Sequence, residues 1–109
     1  MVKLAQKKCV PCEGWMKPLD VSKVRKLVKE VPGWKTFSNK NIEKEIKFKN
    51  FKDAVRFINK VAKIAEEEHH HPDFLLHGYN KVKFTLSTHA IGGLSENDFI
   101  MAAKINKLL

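Results

Sequence analysis

Three consecutive histidines, His69, His70 and His71, run into Pro72, and a fourth, His89, follows the strand-like stretch Lys81 to Ser87. Imidazole titrates near neutral pH, so it is the side chain best fitted to take and give protons in a cell. Five histidines in 109 residues, four of them in two places that a fold could bring together, point to acid–base chemistry without a cofactor. Glu66, Glu67 and Glu68 precede the run. They and the partial negative charge of a helix C-terminus favour imidazolium, while burial opposes it. A cationic histidine beside a neutral one would supply both an acid and a base. Two other readings fit the same residues. One is a solvated helix end; the other is a metal site, although neighbours on a fraying helix end converge poorly on one ion.

The elements that must position these residues follow from hydrophobic period. Phe51, Ala54, Val55, Ile58, Val61, Ala62 and Ala65 recur at three and four residues, so 51–69 reads as an amphipathic helix. Pro72 disfavours helical backbone at His71, so this helix stops at or just before the histidines. An earlier helix begins at Leu19 with Asp20 as N-cap, buries Val24, Leu27, Val28 and Val31, and ends at Pro32-Gly33. Between the two helices, Trp34–Ser38 and Ile42–Phe48 read as a hairpin turning at Asn39-Lys40-Asn41. After the histidines, Phe74–Gly78 and a cleaner strand carrying Val82, Phe84 and Leu86 form a second hairpin. Its return would set His89 beside His71. Ser95 caps a last helix, with Asp98 as a capping-box partner. The expected fold is α+β, a four-stranded antiparallel sheet with three helices on one face in the order α-β-β-α-β-β-α. Residues 1–18 read as an irregular arm, with Trp15 as a pin, and 19–109 as one domain.

Composition narrows the rest. No apolar run approaches the ~18 residues of a membrane span, and the basic start Met1 to Lys8 lacks the apolar stretch of a secretory signal. The cytoplasm is the expected address. The net charge of +9 comes almost entirely from scattered lysines, with Arg25 and Arg56 the only arginines, so no nucleic-acid partner is expected. Cys9 and Cys12 make one C-x-x-C, which without further ligands is half of a structural zinc site at most.

The spacing Glu66-x₃-His70-His71-Pro72-x₆-Tyr79-x₉-His89-x₈-Asp98 resembles the pterin-4a-carbinolamine dehydratase family. Pro18-Leu19, Pro32-Gly33-Trp34, Asn80-Lys81-Val82, Thr85 to His89, Gly93-Leu94-Ser95 and the Cys9-Val-Pro-Cys12-Glu-Gly leader extend the resemblance over residue 9 to the end. It implies a lyase that dehydrates 4a-hydroxytetrahydropterin to quinonoid dihydropterin with histidines, with no metal and no organic cofactor. The catalytic residues it implies are His70, His71 and His89, with substrate contacts at Glu66, Pro72, Ser87, Thr88 and Ala90. Glu66 would orient or charge an imidazole, and Asp98 would cap the last helix. Tyr79 and Phe74 would be core or site wall. The implied partners are the pterin substrate, a pterin-dependent aromatic amino acid hydroxylase upstream, and further copies in a homodimer or homotetramer, with Phe74-Leu75-Leu76 as a strand able to pair across a dimer axis. Some animal members also stabilise a homeodomain transcription factor, so assembly without essential catalysis is the alternative function. Two positions depart from the family pattern: His69 stands where an acidic residue is common, and Phe74 where Trp is frequent.

Overall fold

A computed structural model of the chain describes residues 3–11 and 16–109. Helix α1 spans Val21–Val28, strands β1 and β2 span Lys35–Phe37 and Asn41–Lys47, helix α2 spans Phe51–Glu68, strands β3 and β4 span Asp73–His77 and Lys81–Leu86, and helix α3 spans Glu96–Lys107. The four strands form one antiparallel sheet in the order β1-β2-β4-β3. The expected α+β class and element order hold.

Local chemistry sets the boundaries. The Asp20 carboxylate accepts the Lys23 N–H at 2.8 Å, and the Asn50 side chain accepts the Asp53 N–H at 2.8 Å, so both helices open on a side-chain cap. Helix α1 ends at Val28, three residues short of the proline that stops the expected helix. From there the chain tightens into turns in which Glu30 N–H meets Leu27 O and Val31 N–H meets Val28 O. The first hairpin turns at Ser38-Asn39-Lys40, one residue earlier than expected, because Ser38 and Asn39 both take left-handed backbone and Asn41 already pairs with Phe37.

The sheet alternates cleanly. Val82, Phe84 and Leu86 of β4 are fully buried, and each pairs across to Leu76, Phe74 or Ile42 on the same face. That face meets Phe57, Val61 and Ala65 of α2 and Phe99, Met101 and Ile105 of α3 in one core. Burying each such large side chain stabilises the fold by ~1.5–3 kcal/mol. Phe57 stacks edge-on against Phe84 with ring centroids 5.9 Å apart, which ties α2 to the central strand.

Two expectations need correction. The arm is not irregular throughout: Leu4–Gln6 form a 3₁₀ turn, and Leu4 is buried in the core, so the segment is held by apolar packing that its polar composition conceals. Tyr79 is neither core nor site wall. It takes left-handed backbone in the β3–β4 turn and is 65 % exposed, at the end of the hairpin away from the histidines. Phe74, on the edge strand, is half exposed rather than core. Cys12 and Trp15 lie outside the described residues. Among the described residues, no helix is long and apolar enough to cross a membrane.

Candidate active site

The end of α2 decides where the histidines point. His69 takes the left-handed conformation (φ 53°, ψ 37°) as C-cap, and the N–H groups of His69 and His70 both turn back to the Ala65 carbonyl. This closing turn satisfies helix-end acceptors and swings the following residue back toward the body of the protein. His70 therefore goes inward, with its side chain 12 % exposed, while His71 stays at 59 %. The strain of a left-handed non-glycine residue, of order 1 kcal/mol, is stored at the head of the site.

The second hairpin does what its pairing requires. Asp73 faces Thr85 across β3 and β4, so the chain leaving β4 returns alongside the chain entering β3. A 3₁₀ turn, His89–Ile91, then projects His89, and an isolated bridge between Thr88 and Gly93 closes the loop. A hollow of about 560 Å³ results, lined by His69, His70, His71, Ser87, Thr88, His89 and Ala90, with Cys9, Val10, Pro11, Glu68 and Asn97 on its remaining side. The fold thus brings together the three candidate catalytic histidines and three of the five candidate substrate contacts. Pro72 and Glu66 lie outside it. They border an adjoining hollow of about 310 Å³ with His71 and Phe74.

Behind the hollow lies a buried polar knot. Asp98, fully buried, places Oδ1 2.6 Å from His70 Nε2, and its Oδ2 accepts the Thr88 hydroxyl at 2.8 Å and the Ser95 N–H at 3.0 Å. Thr88 gives its one hydroxyl proton to Asp98, so the Ser95 hydroxyl, 2.7 Å away, donates to Thr88. Asp98 does complete the cap of α3, as expected, and it also orients a histidine. A carboxylate that accepts from three sides leaves Nε2 of His70 as the donor and Nδ1 as the free nitrogen of the ring. The Thr88 hydroxyl is spent inside the protein.

At the rim, Glu66 Oε2 lies 2.6 Å from His71 Nε2. The hydrogen bond and the charge of His71 hold the Glu66 carboxyl below the usual carboxylate range. Cys9 borders the hollow, but burial and the neighbouring Glu68 carboxylate push its thiol up to about 12, so it is protonated and not poised for nucleophilic or metal chemistry. Among the described residues, no three His, Cys, Asp or Glu side chains converge as a metal site.

Three features escaped sequence reasoning. Asp98 was visible in the spacing, but its reach to His70 depends on α3 crossing the end of the sheet. Glu68 and Asn97, which face the hollow, carry no local signal that separates them from surface residues.

Comparison with known proteins agrees with this fold. Residues 17–108 match the family model described as pterin 4 alpha carbinolamine dehydratase. A provisionally named pterin-4-alpha-carbinolamine dehydratase of Nitrosospira multiformis is 50% identical over 96% of this chain and 91% of its own length. Pterin-4-alpha-carbinolamine dehydratase 2, mitochondrial, of Arabidopsis thaliana is 43% identical over 96% of this chain and 58% of its own length. The solved structure of a transcriptional coactivator/pterin dehydratase from Brucella melitensis superposes with a TM-score of 0.79 at 33% identity, covering 84% of this chain and 98% of that one. The fold and site are those of a small hydro-lyase. The chain belongs to the pterin-4-alpha-carbinolamine dehydratase family.

Proposed function

We propose that the protein dehydrates 4a-hydroxytetrahydropterin to quinonoid dihydropterin by histidine acid–base catalysis, recycling the pterin of an aromatic amino acid hydroxylase in the cytoplasm. The observation that carries this reading is a single open hollow bordered by His70, His71 and His89, with His70 fixed from behind by Asp98. Hydroxide is a poor leaving group, so a proton must reach the 4a-oxygen as the C4a–O bond breaks. The N5 lone pair closes a C=N bond to C4a, and one ring N–H proton leaves. The sum is loss of one water. One positioned acid and one base cover both transfers, each worth about 10²–10⁴-fold.

The geometry favours a division of labour. His70 is the half-buried ring of fixed tautomer, which suits a base collecting the ring-nitrogen proton at Nδ1. His71 and His89 are exposed, and His71 carries the Glu66 carboxylate, which suits delivery of a proton to the leaving oxygen with resupply from solvent. Ser87 and Ala90 border the hollow as contacts for the ring, and Thr88 serves by holding Asp98. Neither metal nor organic cofactor is needed for these steps.

The test is direct. Purified protein with chelator is added to freshly generated 4a-hydroxytetrahydropterin, and quinonoid product is followed by absorbance. Wild type accelerates product formation, and His71→Ala and His89→Ala each lose about 10²-fold or more. A wild-type rate equal to that of buffer sinks the lyase reading.

A second reading rests on the edge strand. Phe74 and Leu75 of β3 are each 53 % exposed at the sheet margin. An unpaired apolar edge is a template for another strand. We infer that it pairs with a second copy in a homodimer or a homotetramer, and an assembly role toward a transcription factor would survive both histidine substitutions.

A further inference from the structure

The arm before α1 runs along α3 and ends on the histidine hollow. Lys104 Nζ donates to the Ala5 carbonyl at 3.1 Å, and Lys7 pairs with Glu96 at 2.8 Å. Beyond these, the grip tightens. The Cys9 N–H donates to Glu68 Oε1 at 2.7 Å, the Val10 N–H donates to Asn97 Oδ1 at 3.0 Å, and Asn97 Nδ2 donates to the Val10 carbonyl at 2.6 Å. Asn97 is 3 % exposed, so its amide is held in place by packing. It takes both backbone polar groups of one residue, as a neighbouring strand would, while Val10 as a residue remains 61 % exposed.

The two gripping residues are placed with purpose. Glu68 ends α2 two positions before His70, and Asn97 directly precedes Asp98. The arm therefore bridges the same two segments that the His70–Asp98 pair joins. Val10 also has a hollow on each side: that of the histidines, and a second of about 400 Å³ that includes Met16, Leu19, Ile91 and Ile100. Val10 lies outside residues 17–108, which the family model matches.

We propose that Cys9-Val10-Pro11 is a substrate-contacting wall of the site, and that Asn97, seconded by Glu68, is the positioning residue that holds this wall over the histidines. The proposal rests on the reading that the hollow takes a pterin ring. The wall supplies backbone and apolar surface to that ring and moves no proton. It therefore strengthens ground state and transition state alike, an effect that appears in KM and not in kcat.

Two substitutions release the wall by different means. Val10→Pro deletes the N–H that Asn97 accepts, and Asn97→Ala deletes the grip itself. Lys8→Ala, on the same arm but exposed and outside the hollow, is the control. Three readouts are compared: KM and kcat for dehydration, the Kd of a stable oxidised pterin followed by its fluorescence, and amide hydrogen exchange at residues 9 and 10. Asn97→Ala is expected to exchange freely at both amides and Val10→Pro at residue 9, the one of the two that keeps an N–H, with KM and Kd raised about tenfold and kcat within about twofold of wild type in each. Lys8→Ala is expected to match wild type. Free exchange with unchanged KM and Kd overturns the proposal, as does a joint fall of kcat and melting temperature at constant KM. If Asn97→Ala does not fold, Val10→Pro decides, because it alters an exposed residue and leaves the buried Asn97 in place. A wild type that binds no pterin sinks the reading of the site itself, a failure separable from the first because no variant is needed to see it.

Discussion

Three histidine–carboxylate pairs in this molecule have the same separation, 2.6 Å, and different surroundings. His70–Asp98 is buried at the back of the hollow, with the carboxylate at 0 % and the ring at 12 % exposure. His71–Glu66 sits at the rim, at 59 % and 78 %. His77–Glu45 lies on the outer face of the sheet, at 40 % and 49 %, and does not line the histidine hollow. Distance alone does not rank them. In water a pair of opposite charges at contact is worth ~1 kcal/mol or less, and the value rises as solvent is excluded. The buried pair also fixes a tautomer, because the same carboxylate is committed to Thr88 and Ser95. The comparison teaches that burial and onward hydrogen bonding, more than the pair itself, fix the orientation and tautomer of a histidine.

The largest effect should come from Asp98→Asn. The side-chain oxygen would go to the Thr88 and Ser95 donors, leaving an NH₂ facing His70 Nε2, donor against donor. The ring must change tautomer or move. Dehydration is expected to fall about 10²-fold or more in kcat, with stability lowered by ~1–3 kcal/mol for the mismatched buried group. Steady-state kinetics and urea unfolding separate the two. Wild-type kcat in this variant would break the claim that the buried pair directs the ring.

A control comes from the other end of α3, where a polar knot of similar build reaches no histidine. Asn106 Oδ1 accepts Trp34 Nε1–H at 3.0 Å and Lys44 Nζ at 2.8 Å, and its Nδ2 donates to the Pro32 carbonyl at 3.0 Å. Asn106→Ala leaves the buried indole N–H without this acceptor and should cost ~2 kcal/mol in urea unfolding. Turnover per folded molecule should match wild type. A selective loss of kcat would show that the site extends further than its geometry indicates.

Legibility in the sequence divided along the same line. The α2 stripe, the β4 alternation and the proline stop located the histidines, because periodicity and φ restriction are local. The return of His89 to His71 followed from one hairpin, whose register the Val82-Phe84-Leu86 face imposes. The contact of Asp98 with His70 was not legible, since it depends on where α3 crosses the sheet end, a packing outcome without a local signature. The same holds for Asn97 and Glu68, whose partners are backbone atoms of the arm. The arm's docking was hidden for the converse reason: a single buried Leu4 and side-chain grips on backbone leave no period to read.

At the rim, Glu66→Gln should reduce dehydration only a few-fold, roughly the weight of an exposed, screened pair, and lower stability near neutral pH only slightly. The pH dependence carries the finer test. Hydrogen bonding to His71 depresses the Glu66 carboxyl below the usual carboxylate range. A depressed acid stabilises the fold above its unfolded value, and that contribution disappears as pH falls through the folded value. Carboxyl-carbon NMR should therefore show Glu66 titrating below the usual carboxylate range, and His71→Gln should move it back up toward that range. An unmoved Glu66 in that variant would sever the pair from the titration.

The smallest effect belongs to His77→Gln. His77 pairs with Lys81 in register, and its ring reaches diagonally across β4 to Glu45 on β2, where Lys83 is Glu45's direct neighbour. Glu45 is itself half exposed, so losing the imidazole leaves no buried carboxylate. The expected cost is below ~1 kcal/mol, with KM and kcat unchanged. This variant has the sharpest bearing on the comparison because its pair matches the other two in chemistry and length. If His77→Gln slowed dehydration as much as Glu66→Gln does, proximity to the hollow could not be what separates them, and the outer face of the sheet would have to be part of the catalytic surface.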